Sequence, residues 1–271
     1  MSQQSDWVPD TIPLDRPTVA RMWDYFLGGH HNFAVDRQAA EQAIKLYPDL
    51  PLVARVTRGF LRRAVSFMLE QGVDQFLDIG SGIPTVGNVH EIAHRVNPAA
   101  GVVYVDIDPV AVAHSQTILR GMENAVAVQA DARRPEEIVG HADVRRVLDW
   151  TRPIGMLAIA MIHFVPDDAE AHRILRVLRG ALPSGSYLAL THATADGVDP
   201  ALAAQGEQLY RRTSAPLHFR TRDQIVGLFD GLELVEPGVV YVPLWRPESA
   251  DDLLLDQPIR SANYAGVGRK R

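Results

Sequence analysis

Up to Gly72 the apolar positions of this chain recur at helical spacing. Val19, Met22, Trp23, Phe26 and Leu27 fall at i, i+3, i+4, i+7 and i+8, one stripe along a helix face. Gly28-Gly29 ends that stripe, because glycine readily takes the left-handed conformation that closes a helix. A polar piece, His30 to Asp36, leads to a second helical stretch reaching Leu46, and Tyr47 to Pro51, with two prolines, predicts a break. A third helix over Gly59 to Glu70 would turn Leu61, Val65, Met68 and Leu69 inward and Arg62-Arg63 outward.

From Val73 the pattern changes. Short apolar, β-branched runs (Gln75 to Ile79, Val102 to Val105, Ala125 to Gln129, Met156 to Ile162, Tyr187 to Thr191) alternate with helical stretches over Val86 to Val96, Val110 to Met122 and Ala169 to Leu182. Pro135 to Trp150 is rich in loop residues. Continuous apolar strands between helices predict a parallel sheet covered on both faces, wound by right-handed crossovers. Leu232 to Val235, Pro237-Gly238 and Val239 to Leu244 predict a closing antiparallel hairpin. The expected organisation is an N-terminal helical cap, residues 1–72, on an α/β core, residues 73–271.

Candidate chemistry gathers where strands end. The first strand runs into FLDIGSGIPT, Phe76 to Thr85, where Gly80 and Gly82 let backbone approach a ligand closely. Thr85 stands where a dinucleotide G-x-G-x-x-G fingerprint needs its last glycine. Asp78 would repel a pyrophosphate but suit a ligand bearing an ammonium and a sulfonium, which favours S-adenosylmethionine over NAD. A turn-capping acid is the plainer alternative. Asp106 closes VVYVDIDP at the strand's carboxyl end, placed to accept from two ribose hydroxyls, with Ile107 offering an apolar surface to adenine. Asp108, followed by Pro109, predicts a helix N-cap. Asp131 follows the third strand and can accept from adenine's exocyclic amine while the Ala132 amide donates to the ring; here too a turn residue is the alternative. If these strands lie in one sheet, all three acids share an edge.

His163 and Phe164 leave the fourth strand at that edge, and His192 follows the fifth. Either histidine could be a general base for a hydroxyl or amine acceptor, or could pack the pocket wall. Methyl transfer from a sulfonium is facile enough that positioning the nucleophile can supply much of the rate, so a base is optional. RMWDYFLGGHHNFAVDR, Arg21 to Arg37, holds more polar groups than a plain turn needs. His30-His31 has no partner ligand at matching spacing for a metal. A Gly-Gly-x-x-Asn loop closing over a cofactor, with Tyr25, Gly29 and Asn32 toward the site, is the better reading.

These segments together resemble the S-adenosylmethionine-dependent methyltransferase family, mostly actinobacterial, first catalogued as a domain of unknown function. The resemblance rests on RMWDYFLGGHHNF, DIGSGIPT, VYVDIDP, QADAR, IHFVPDD and the LTH after the fifth strand. It implies a Rossmann-like class I methyltransferase core with a mostly parallel seven-stranded sheet, beneath an N-terminal helical cap. It implies S-adenosylmethionine as cofactor and S-adenosylhomocysteine as product, with Asp78, Gly80, Ser81, Gly82, Asp106, Ile107, Asp131, Ala132, Tyr25, Gly29, Asn32 and Met161 around it. His163, His192 and Tyr25 are the catalytic candidates. Pro84 departs from the third glycine common in the wider class. The resemblance does not identify the acceptor.

Composition narrows the rest. The chain has 271 residues, no cysteine and a formal charge of −6. Thiol nucleophiles, disulfides and thiolate metal sites are excluded. The acidic balance argues against nucleic acid as a partner, although Arg55, Arg58, Arg62 and Arg63 could form a local basic patch. The first residues show no leader pattern, and the longest apolar run, Ile154 to Val165, is shorter than the roughly 20 residues of a membrane span. The expected setting is therefore cytoplasmic, without membrane, with a small-molecule acceptor and the option of a homodimer through the cap. The rival readings are a non-catalytic module sensing S-adenosylmethionine or S-adenosylhomocysteine, and an NAD-dependent oxidoreductase.

Overall fold

The computed structural model describes residues 15–84 and 87–271. The expectations for the N-terminal leader region, residues 1–10, and for a helix start at Val86 lie outside the described residues. Three helices come first: α1 (Val19–Phe26), α2 (Ala34–Leu46) and α3 (Leu50–Glu70). Strands and helices then alternate through β1 (Gln75–Ile79), α4 (Val89–Val96), β2 (Gly101–Asp106), α5 (Pro109–Ile118), β3 (Ala125–Gln129), α6 (Pro135–Gly140), α7 (Ala142–Val147), β4 (Gly155–Ala158), α8 (Asp168–Ala181) and β5 (Tyr187–Ala193). The chain closes with α9 (Pro200–Tyr210), α10 (Arg222–Gly227), β6 (Glu233–Leu234), β7 (Val240–Tyr241) and β8 (Asn263–Arg269).

Strands are ordered β3-β2-β1-β4-β5-β8-β6, with β7 also on β8. The first five are parallel and β8 is antiparallel to β5. Successive strand residues face opposite layers, as the two-residue period requires. Phe76, Val102 and Tyr104 pack with Phe60, Val65 and Met68 of α3 on one side. Leu77, Val103 and Val105 pack with Ile138, Val144 and Ile174 on the other. The strand order reverses between β1 and β4, the switch point at which open α/β sheets leave a crevice beyond the strand ends.

Several expectations change. The antiparallel end is present, but β6 and β7 do not pair with each other; each pairs with β8. Strand β8 gave no sequence signal because Gly266 and Gly268 replace the usual β-branched residues. They are small because Phe229, Val239 and Leu232 press against that backbone. Helix α3 begins at Leu50, since proline is accommodated in a first turn. Arg63 points inward, donating from Nε to the Trp245 carbonyl at 2.8 Å and from Nη2 to that of Val242 at 3.0 Å. With Arg63 buried, the four-arginine patch does not form. Among the described residues no helix is long and apolar enough to cross a membrane.

The N-terminal helices are held to the sheet by a buried polar cluster. Thr18 caps α1 and donates from its hydroxyl to Asp108 at 2.5 Å. Arg21 Nε lies 3.5 Å from Asp36 and 3.4 Å from Asp108. Asp108 also caps α5 through the Val110 amide at 2.8 Å, as its sequence position predicts. One cation between two carboxylates thus ties the start of α1 to the rim of the crevice.

Candidate active site

The crevice is a cavity of about 540 Å³. Asp78, Gly80, Ser81, Gly82, Asp106, Ile107, Asp131, Ala132 and Met161 all line it, so the three strand-end acids do share one rim. Gly80 must be glycine: its φ is +68°, and a Cβ there would sit 2.4 Å from Met161 Cγ. Ile107 presents an exposed apolar side chain at the mouth.

Asp78 is buried, and its Oδ1 makes no hydrogen bond. Burial raises its carboxyl to about 7; the Arg58 guanidinium pulls the other way and Asp106 adds to the rise. The turn-capping alternative therefore lacks the amide bonds it needs. Asp106 is buried too, and burial lifts it to about 6. Its Oδ2 accepts from the Gly82 amide at 2.7 Å and its Oδ1 from the Asp108 amide at 2.8 Å. Asp131 is clasped by Arg133, whose amide reaches Oδ1 at 2.9 Å and whose Nη2 reaches Oδ2 at 2.7 Å. Burial raises the Asp131 carboxyl, and the Arg133 contacts more than offset this, leaving it below the ordinary value. The turn role is thus realised, but a carboxylate offers about four acceptor sites, so a further donor can still be accepted.

The glycine loop departs from expectation in one respect. The Gly80 and Ser81 amides both donate to the Val105 carbonyl, at 2.8 and 3.1 Å, and the Gly82 amide is committed to Asp106. These groups hold the turn, so a carboxylate ligand must find its donors elsewhere. Helices α1 and α3 face the loop across the cavity. Thr18, Arg21 and Trp23, with Thr57, Arg58 and Leu61, line the opposite wall. Sequence reading missed this wall. Its signal was Arg58 set among Ala54, Leu61 and Val65, a cation embedded in an apolar helix face.

The expected loop over the site is folded on itself. Asp24 Oδ2 accepts from the His31 amide at 2.9 Å and from Asn32 Nδ2 at 2.8 Å, and Asn32 also donates to the Gly29 carbonyl. A Cβ on Gly29 would land 2.0 Å from Asp24 Oδ1. Tyr25 turns away and donates to Glu41 at 3.2 Å. Tyr25, Gly29 and Asn32 therefore do not line the cavity; they brace the end of α1, and α1 itself reaches the site.

Nor do the two histidines line it. His163 is buried in a short 3-10 turn after β4, and its Nδ1 accepts from the Ala193 amide at 3.2 Å. Burial, with Arg220 nearby, pushes it down to about 3. His192 donates from Nδ1 to the Ala193 carbonyl at 2.7 Å, and its Nε2 accepts from Arg220 Nη1 at 2.9 Å. Each acceptor nitrogen is already engaged, which favours the packing alternative over a general base. His163 instead borders a second cavity of about 110 Å³, which meets the first at Val19, Trp23 and Phe164.

A family model described as S-adenosyl methyltransferase matches residues 5–271. A solved structure of a candidate methyltransferase from Thermobifida fusca YX is 41% identical, with a TM-score of 0.90, over 98% of this chain and 100% of that one. A DUF574 family protein from Streptomyces avermitilis is 38% identical, with a TM-score of 0.89, over 96% of this chain and 100% of that one. No functionally curated protein matches the chain.

Proposed function

Because the chain belongs to the S-adenosyl methyltransferase family, whose cofactor is S-adenosylmethionine, we propose that it methylates a small-molecule acceptor. The observation that best supports this reading is the rim of three aspartates at the switch point, opposite the cationic wall of α1 and α3. The residues present fit the cofactor. Asp78 Oδ1 and Thr57 Oγ1 are buried without hydrogen-bond partners on the cavity wall.

In this reading Asp78 takes the ammonium and Arg58 the carboxylate of the methionine end, since the Gly80, Ser81 and Gly82 amides are spent. Asp106 accepts from ribose, Ile107 covers adenine, and Asp131 with Ala132 reads its edge. When bound, S-adenosylmethionine supplies an electrophilic methyl carbon, to which the acceptor's lone pair bonds as the carbon–sulfur pair returns to sulfur. The chain's own part is to orient the acceptor and exclude water, and the acceptor's proton passes to solvent. Residues 1–72 act as the cap that completes the site on the core of 73–271.

Asp78 makes the cofactor grip pH-dependent. Its carboxyl is raised to about 7 in the folded chain, so the proton it holds stabilises the fold at low pH, fully below its unfolded value, and that contribution is lost as pH rises through 7. A bound ammonium favours the ionised form. Affinity for S-adenosylhomocysteine should therefore climb between pH 5.5 and 7.5, by up to roughly tenfold per unit below 7, with proton release on binding. Titration calorimetry in two buffers of different ionisation enthalpy checks this, and Asp78→Asn should leave only the dependence set by Asp106, whose carboxyl is raised to about 6. Arg58→Met should weaken binding by about tenfold or more, the loss of one charge-assisted contact. An unchanged affinity would return Arg58 to a purely structural role.

The activity itself is tested with methyl-labelled S-adenosylmethionine and a metabolite extract. Label appearing in a small molecule supports the enzyme. Tight S-adenosylhomocysteine binding with no transfer across broad extracts would favour the sensor, a reading that the engaged His163 and His192 keep in view.

A further inference from the structure

The second cavity gives the acceptor a chemical class. It lies between α1, α2 and α9, beside the exits of β4 and β5. Its wall is apolar and aromatic: Trp23, Phe26, Phe164, Tyr210 and Phe219 contribute rings. Among the described lining residues there is no Asp, Glu, Lys or Arg. The first cavity, by contrast, is bordered by Arg21, Arg58, Asp78, Asp106 and Asp131. Two adjoining cavities of opposite character share Val19, Trp23 and Phe164 as their boundary.

Resting on the methyltransferase reading, we propose that this second cavity is the acceptor pocket and that the acceptor is an uncharged, single-ring aromatic compound bearing a hydroxyl or amine. Charge decides against ionic acceptors. A carboxylate or phosphate placed here would lose its water without a countercharge, a cost no apolar contact returns. His163, the histidine on this wall, is held neutral by burial and by the Ala193 amide on its Nδ1, so it offers no cation. Size decides against larger ring systems. The cavity measures about 110 Å³, somewhat less than the roughly 150 Å³ that admits benzene in a protein interior. Even one ring therefore exceeds it, so the ring's substituted edge must project past Phe164 and Trp23 into the first cavity, and a second fused ring has no room. Flat rings also match the wall, since offset or edge-on contacts with Phe164 and Tyr210, themselves 5.9 Å apart between centroids, gain more than aliphatic contacts of equal area. Tyr210 keeps its hydroxyl protonated, because burial raises it, and can hydrogen-bond the substituent.

In the transfer, an acceptor oxygen or nitrogen lone pair forms the bond to the methyl carbon. The carbon–sulfur bond breaks with its electron pair left on sulfur, and the acceptor's proton leaves to water. No other reactant is required.

The test begins with S-adenosylhomocysteine affinity, which must be present for either reading to stand. In its saturating presence, binding of phenol and aniline is compared with that of benzoate and phenyl phosphate by ligand-observed NMR, and label transfer to phenol and aniline is followed. The neutral rings should bind at least tenfold tighter and become labelled. Gly206 faces the cavity from α9 with Phe219 Cζ 4.0 Å from a built Cβ, so Gly206→Leu should fold, keep S-adenosylhomocysteine affinity within twofold and lose phenol binding at least tenfold. Equal or tighter binding of the charged rings overturns the assignment, as does absence of binding and transfer for every ring while S-adenosylhomocysteine still binds. Those arms use the unaltered protein, so they stand even if Gly206→Leu does not fold. Loss of S-adenosylhomocysteine binding by the unaltered protein would instead remove the methyltransferase reading beneath it.

Discussion

Asp106→Ala should cost the folded chain about 1–3 kcal/mol and weaken S-adenosylhomocysteine binding by roughly ten- to hundredfold. The two losses have one origin. Both carboxylate oxygens of Asp106 accept buried backbone amides, Gly82 N at 2.7 Å and Asp108 N at 2.8 Å. Removing them orphans two donors and frees the glycine turn and the start of α5 together. Asn at this position is no safer than Ala. With an amide N–H facing each oxygen, either orientation of a carboxamide sets its NH₂ against a donor. Asp106→Asn should therefore lose stability as well, although it differs by one proton-bearing atom. Urea unfolding beside calorimetric titration checks both variants. A protein of unaltered stability with weakened binding would leave Asp106 as a ligand contact alone; unaltered binding with lost stability would leave it as a turn clamp alone.

The strand-end position of Asp106 shows which parts of the site could be read from sequence. An acid directly after a buried apolar run is conspicuous, and strand order then forces Asp78, Asp106 and Asp131 to a common rim. The helix stripe of α1 was equally plain. What failed was the direction of side chains that satisfy each other locally. Asp24, Gly29 and Asn32 are as polar as a binding loop, but their bonds close among themselves. The bonds of the glycine-loop amides were hidden for a related reason: the Val105 carbonyl takes two of them, and no residue pattern reveals a carbonyl acceptor. Strand β8 was invisible because close packing, not strand propensity, selected its glycines. Arg58 was legible only as part of a basic patch, because a cation among apolar positions points to a cavity only once the helix face is known to border one.

The histidines pose the sharpest contrast between a catalytic and an architectural reading, and Arg220→Met separates them. Arg220 is buried. Its Nη2 donates to the Val165 carbonyl at 2.9 Å, its Nη1 to His192 Nε2 at 2.9 Å, and its Nε to Asp168 at 2.8 Å. It thereby ties the turn after β4, the end of β5 and the first residue of α8 into one knot, at the place where both cavities take their wall from Phe164. Methionine retains most of the apolar stem but leaves a buried carbonyl and an imidazole nitrogen without a donor. Asp168 is half-exposed, so water replaces that contact cheaply, and the loss falls on the buried acceptors. Together they should cost about 3–5 kcal/mol, with His192 still neutral because burial disfavours its charged form. If the imidazoles only build the wall, label transfer per folded molecule at low temperature should fall far less than stability does, and its pH profile should keep its shape. If Arg220 and His192 formed a proton relay, the pattern would invert: turnover would collapse with a shifted profile while the unfolding midpoint held. The bonds favour the first outcome, since an imidazole that donates to a carbonyl on one side and accepts from a guanidinium on the other has no free site to receive an acceptor's proton.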